Sequence, residues 1–208
     1  MVTVDILEKY FDALNDKQKE QFDYLKDLYI YHNNRVNLIS RKDTDNFYVH
    51  HILHSMALVK TTEFRGLKTV VDIGTGGGFP GIPLAIMFPE IQFYLIDSIG
   101  KKINIVQEIA NEVGLANVTA RKYRIEETPW KYDMAVARAV APTIKLFDWM
   151  KGHWTGKPKF ALLKGGDLSE ELNELTQNYS KLKLKSTHIS DFFEESFFET
   201  KKVISIEG

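Results

Sequence analysis

The sequence predicts an α/β fold: a largely parallel sheet with helices on both faces, an antiparallel last strand and a helical extension in front. Three observations predict it. From Lys68 onward, short apolar runs alternate with stretches of helical periodicity, the pattern of a parallel sheet covered on both sides. The first run, Val70-Val71-Asp72-Ile73, breaks into Gly74, Gly76, Gly77 and Gly78, which lets a strand turn sharply into a helix beside a ligand. Near the end, two strand-like stretches follow one another with no clear helix between them, so the sheet closes on a hairpin.

The elements follow in order. Residues 1–66 read as an N-terminal helical cap and residues 67–208 as the sheet domain. In the cap, Ile6, Leu7, Tyr10, Phe11 and Leu14 fall at helical spacing, as do Phe22, Leu25, Leu28 and Tyr29, with a break at Asn15-Asp16. Residues 31–42 are polar, amide-rich and locally basic. A further helix carries Phe47, Tyr48, His51, Ile52, Leu58 and Val59. The sheet domain offers strands at 69–73, 93–96, 118–120, 134–137 and 160–163, then at 182–189 and 197–206. Helical patterns fall at 84–88, 101–113, 143–150 and 168–179. Asp72, Asp97, Arg138 and Lys164 sit in or just after strands, at the edge where open α/β sheets bind ligands.

Composition narrows the function. Lysine and arginine (27) nearly balance aspartate and glutamate (28), which argues against a globally basic nucleic-acid binder and leaves only local patches. There is no cysteine, which excludes disulfides, thiolate zinc sites and a cysteine nucleophile. His50 and His54 are one helical turn apart, but no zinc-type motif accompanies them, so no metal is expected. Residues 1–5 carry neither basic flank nor apolar core, and no run is long enough to span a membrane. A cytoplasmic, non-membrane protein is expected, and a monomer.

The glycine loop fits G-x-G-x-x-G only as Gly76, Gly78 and Gly81, because the register from Gly74 puts Phe79 at the third glycine. There is no phosphate-binding G-x-x-x-x-G-K-[ST] run and no G-x-S-x-G elbow. Asp72 would oppose a pyrophosphate beside the loop but suits a cationic ligand such as S-adenosyl-L-methionine (SAM), which has no phosphate. Asp72 also reads as a carboxylate capping its own loop. Asp97, ending the second strand, suits the hydroxyls of an adenosine ribose. Together with the late hairpin, these residues suit the sheet of class I SAM-dependent methyltransferases, a Rossmann-like fold, by analogy of fold.

Residues 72–84, Asp-Ile-Gly-Thr-Gly-Gly-Gly-Phe-Pro-Gly-Ile-Pro-Leu, resemble the glycine loop of the bacterial RsmG family, also called glucose-inhibited division protein B. Matching stretches recur in order: Asn37-Leu38, His51-Ile52-Leu53, Leu95-Ile96-Asp97-Ser98, Arg124-Ile125-Glu126-Glu127, Arg138-Ala139 and Leu163-Lys164-Gly165. The resemblance implies methyl transfer from SAM to N7 of a guanine in 16S ribosomal RNA of the small ribosomal subunit. It implies cofactor contacts at Gly74, Phe79, Ile125, Glu126 and Arg138, beside the candidates Asp72, Gly76, Gly78 and Asp97. One departure is His54, where the family often has an acid.

Other roles stay open for several of these residues. Glu126 suits an adenine amine, or is a solvated loop residue. Arg138 suits the SAM carboxylate or an RNA phosphate, or an ion pair with Asp133 or Asp97. It is the candidate for positioning the reactants, with no general base expected. Phe79 walls the cofactor, stacks on a base or belongs to the core. Arg35, Arg41, Lys42, Arg124 and Lys164, with Lys101, Lys102, Arg121 and Lys122, are the candidates for RNA contact. The rival readings are a SAM methyltransferase of a small molecule or protein, and a non-enzymatic nucleotide-binding protein.

Overall fold

A computed structural model describes residues 3–208; Met1 and Val2, part of the stretch read above for a leader, lie outside the described residues. Seven strands form one sheet in the order β3-β2-β1-β4-β5-β7-β6. They are β1 (Thr69–Ile73), β2 (Gln92–Asp97), β3 (Val118–Lys122), β4 (Met134–Arg138), β5 (Lys159–Gly165), β6 (Lys183–His188) and β7 (Lys201–Glu207). The first five are mutually parallel. β7 runs antiparallel between β5 and β6. The expected strand from residue 197 starts later, because residues Ser196–Phe198 form a helical turn that buries Phe198 completely against Phe193 and His54.

Helices cover both faces. They are α1 (Asp5–Tyr10), α2 (Asp16–Asn33), α3 (His54–Thr61), α4 (Gly81–Met87), α5 (Gly100–Glu112), α6 (Thr143–Trp149) and α7 (Ser169–Asn178). α2 starts where Asn15 caps it: its side chain accepts from Gln18 N at 3.0 Å, and the Gln18 side chain accepts from Asn15 N at 3.1 Å. A single π-helical turn, Tyr48–Leu53, leads directly into α3. Between β3 and β4 the crossover is one short turn, Ile125–Glu127, rather than a helix.

Alternation along β1 sorts the two faces. Val70 joins a cluster with Phe22, Leu25, Tyr29, Ile52 and Val106, so the N-terminal helices, α4 and α5 share one apolar layer. Val71 and Ile73 join Leu146, Phe147, Leu162 and Leu175 beneath α6 and α7. Asp72 points to the Val70 side, fully buried, toward the start of α4. The apolar positions at helical spacing therefore found a partner in the sheet itself, and the same core runs from Leu7 to Val203.

Gly81 is tightly enclosed in this layer. A Cβ there would stand 2.8 Å from Leu95 Cγ and 2.9 Å from Asp72 Oδ2. Gly81→Ala is expected to lower the unfolding free energy by about 1–3 kcal/mol, as overpacking does. Gly156→Ala, with nothing within 4 Å of its Cβ, should stay within about 0.5 kcal/mol of the parent. Urea denaturation of the two variants checks the contrast.

Candidate active site

The loops at the carboxyl ends of β1 to β4 enclose a cavity of about 390 Å³. Gly74 and Gly76 line it from the loop after β1, Asp97 and Ser98 from the end of β2 and the residue after it, Arg124, Ile125 and Glu126 from the turn after β3, and Arg138 and Ala139 from the end of β4 and the residue after it. Parallel strands bring these ends to one edge, and the crossover after β1 opens the crevice there. Asp97 is held rigidly: Oδ2 accepts from Gly76 N at 2.9 Å and Oδ1 from Ile99 N at 2.8 Å. Each oxygen keeps a lone pair for a further donor. Glu126 is exposed at the cavity and Ile125 beside it is buried.

The glycine loop is shaped from beneath. Asp72 Oδ2 accepts from Thr75 Oγ1 at 2.6 Å and from Gly81 N at 2.8 Å. Burial raises the Asp72 carboxyl to about 7, against the pull of those two bonds. Tyr29 of α2 donates its hydroxyl to Gly77 O at 2.6 Å. Gly74 and Gly76 have φ of +63° and +57°, which an L side chain adopts at a cost. A Cβ on Gly74 would also meet Val140 at 2.8 Å. These two glycines face the cavity, whereas Gly78 packs against Tyr29 and Ile82. Asp72 and Phe79 likewise lie behind the cavity wall.

Arg138 ends β4 and is held by the N-terminal segment. Nη1 donates to His50 O and Nη2 to His51 Nδ1, each at 3.2 Å. The guanidinium lies 5.0 Å from the ring centre of Phe79, a cation–π contact. Since an arginine only donates, His51 Nδ1 is the acceptor and its proton sits on Nε2. Burial and the nearby Arg138 push His51 down to about 3, so the imidazole stays neutral. Burial lowers Arg138 to about 10, which leaves it charged at neutral pH. Among the described residues no ion pair engages it. Asp133, one partner considered from sequence, instead accepts from Lys68 N and Thr69 N.

The cationic candidates separate. Arg124 and Lys102 line the cavity, and Lys122 packs along Gly100 at the start of α5, next to Lys101. Arg41 and Lys42 are exposed on a short turn. Arg35 pairs with Glu108 at 3.3 Å. Lys164 is nearly buried and tied to Ala141 O at 2.6 Å and Glu171 at 2.7 Å. Tyr123, Val140 and Trp149 also line the cavity and were not singled out from sequence. Tyr123 adjoins the Arg124-Ile125-Glu126 stretch, which is the one signal for it. Trp149 comes from the far end of α6, and nothing local marks it.

Comparison with known proteins decides the family. The model of "GidB: rRNA small subunit methyltransferase G" matches residues 18–200. The chain belongs to this family. Ribosomal RNA small subunit methyltransferase G of Christiangramia forsetii is 47% identical over 209 residues, covering 98% of this chain and 96% of the relative. The Bacteroides thetaiotaomicron protein of the same name is 47% identical over 207 residues, covering 97% and 98%. Among solved structures, magnesium protoporphyrin IX methyltransferase from Synechocystis with bound SAM superposes with a TM-score of 0.61 at 16% identity, covering 95% of this chain and 99% of that one. A SAM-dependent methyltransferase from Aquifex aeolicus gives 0.59 at 16% identity, covering 77% and 92%. These two share the fold. This GidB-family chain is a SAM-dependent methyltransferase, and SAM is its cofactor. The cavity fits SAM: it offers Asp97 and Glu126, close-approach glycines and no buried cluster of cations for a pyrophosphate. No helix among the described residues is long and apolar enough to cross a membrane.

The buried Asp72 has a consequence for stability. Its folded-state pKa lies above its unfolded value, so folding takes up a proton between the two. Its contribution to stability falls as pH rises from about 4 to about 7, and is flat beyond. Asp72→Asn removes this component. The difference in unfolding free energy between parent and variant should therefore slope across that window by at most about 1.4 kcal/mol per pH unit. Urea titrations at constant ionic strength measure it, and a pH-independent difference would show that Asp72 is ionised in the folded protein throughout.

Proposed function

We propose that this GidB-family chain transfers the methyl group of SAM to N7 of a guanine in 16S ribosomal RNA of the small subunit. SAM, when bound, supplies an electrophilic methyl on a sulfonium. Guanine N7 has a free lone pair and no proton. The lone pair forms the new C–N bond as the S–C bond breaks, sulfur keeps the bonding electrons, and the positive charge passes to the base. No proton is released, so no general base is required.

One observation carries the N7 reading: among the described residues, the carboxylates lining the cofactor cavity are Asp97, tied to two backbone amides, and the solvent-exposed Glu126. No imidazole lines it among the described residues. His51, behind Arg138, already accepts from that residue and is pushed down to about 3. Asp72, the acid near 7, is buried under the glycine loop. What the chain supplies is positioning. Asp97 is locked by Gly76 and Ile99, and Arg138 by His50 and His51. Rigid placement of the reacting groups is worth several orders of magnitude in rate. Lys102 and Arg124 at the cavity, with the exposed Lys101, Arg121 and Lys122 near them in sequence, are the cations on which RNA phosphates would rest. A chain of balanced charge relies on such a patch rather than on its overall field.

Two outcomes follow. Small subunits from a strain lacking the gene, treated with the enzyme and SAM, should gain one 7-methylguanosine by mass spectrometry of the digested RNA. A methyl group on any other atom, or none on RNA, overturns the proposal. Arg138→Ala should lower that methylation by more than about 100-fold while the circular dichroism spectrum is retained. Activity close to the parent's would remove Arg138 from the site.

A further inference from the structure

We propose that a second cavity, on the far side of Arg138 from the cofactor cavity, receives the acceptor base, and that Glu171 and His54 read its edge. The inference rests on the methyltransferase reading above and deepens it.

The second cavity measures about 240 Å³ and shares Arg138 and Ala139 with the cofactor cavity. Between the two lies little more than the end of β4. Ala139 has φ +54°, a conformation that a residue with a Cβ holds only when its surroundings impose it. The chain thus leaves β4 between the two cavities, where an acceptor atom in one can face a methyl in the other.

The walls suit a flat, polar-edged ring. Leu163 and Leu168 supply buried apolar surface. Glu171 is anchored through one oxygen alone: Oε1 accepts from Thr143 N, Thr143 Oγ1 and Lys164 Nζ. Its Oε2 takes no hydrogen bond from any described residue. Burial raises the Glu171 carboxyl, but Lys164 and Thr143 outweigh it and keep the group below its ordinary value, so it stays ionised. His54 lines the same cavity, is buried, and its Nε2 has no partner among the described residues. Buried polar atoms are rarely left in that state. Burial and Arg138 hold the imidazole neutral.

A guanine satisfies these groups together. Its N1–H and N2 amine are donors on the edge remote from N7. A carboxylate oxygen accepts from both, and a neutral imidazole bonds alongside. Adenine would turn an unprotonated N1 toward the carboxylate and lose that bond. A site built to hydrogen-bond one group rejects the analogue lacking it strongly. When N7 takes the methyl, the base becomes cationic and its N1–H more acidic. The bond to Glu171 is then stronger in the transition state than before it. A base in this cavity has left its stack, as enzymes acting on bases in nucleic acids require.

The test uses Glu171→Gln, His54→Leu and the parent on small subunits lacking the modification. The expected result is a loss of at least tenfold in kcat/KM for each variant, with the SAM dissociation constant, measured by calorimetry, within twofold of the parent. Parent-like kinetics in both variants, or a matching loss of SAM binding, overturns the proposal. A second measurement needs no variant. Methyl-labelled parent saturated with S-adenosylhomocysteine is titrated with guanosine monophosphate and with adenosine monophosphate. Shifts at the Leu163 and Leu168 methyls with the guanine nucleotide alone support the pocket. No shift, or equal shifts with both, overturns it. Failure of the parent to form 7-methylguanosine overturns the preceding section's reading instead, and the nucleotide titration judges the pocket independently.

Discussion

A single buried carboxylate organises this molecule. Asp72 stands inside an otherwise apolar strand and binds Thr75 at one end of the glycine loop and Gly81 at the other. The two bonds close the loop on itself, so Gly74 and Gly76 present bare backbone to the cavity. The acid suffers for its burial, since desolvation raises it to about 7. A hydrophobic residue of similar size would pack there without that penalty, but it would leave Gly81 N without its acceptor in the core. The loop's shape depends on a group whose own burial is unfavourable, and the cofactor cavity depends on the loop.

The second dependence is between the N-terminal helices and the sheet. Tyr29 reaches from α2 to Gly77 O, and Phe79 is packed by Tyr29, Phe47 and His51. The π-helical turn before α3 places the His50 carbonyl and His51 Nδ1 where Arg138 needs acceptors. Among the described residues, Arg138 receives no carboxylate partner. Two neutral acceptors and an aromatic face hold it, so its charge is not cancelled and remains available to an anionic group or a reacting base.

Much of the fold was legible. Apolar runs of strand length separated by helical periods located β1 to β5, and the lack of a helix near the end gave the antiparallel closure. Local pattern failed at Phe197-Phe198, whose apolar character reads as strand. Phe198 is instead drawn into a turn by Phe193 and by His54, the second of which lies far outside any local window of sequence. The site shows the same division. Asp97, Glu126 and Arg138 follow strands at the binding edge and are visible for that reason. Phe79 and Gly78 belong to the same motif as Gly74 and Gly76, yet they turn inward. Which side a loop residue faces depends on Tyr29 and Asp72, one distant in sequence and the other buried within β1 beneath the loop. The orphaned Nε2 of His54 has no local signal at all.

The bonds from Arg138 to His50 and His51 join residues 88 and 87 positions apart. A ribosome makes the histidines long before the arginine. Until β4 has emerged, the π-helical turn has no guanidinium to receive and the cofactor cavity has no wall on that side. Contacts of such separation form late and slowly. The growing chain therefore passes through most of its synthesis without a competent site, and cofactor binding can reward only a chain that has grown past Trp149.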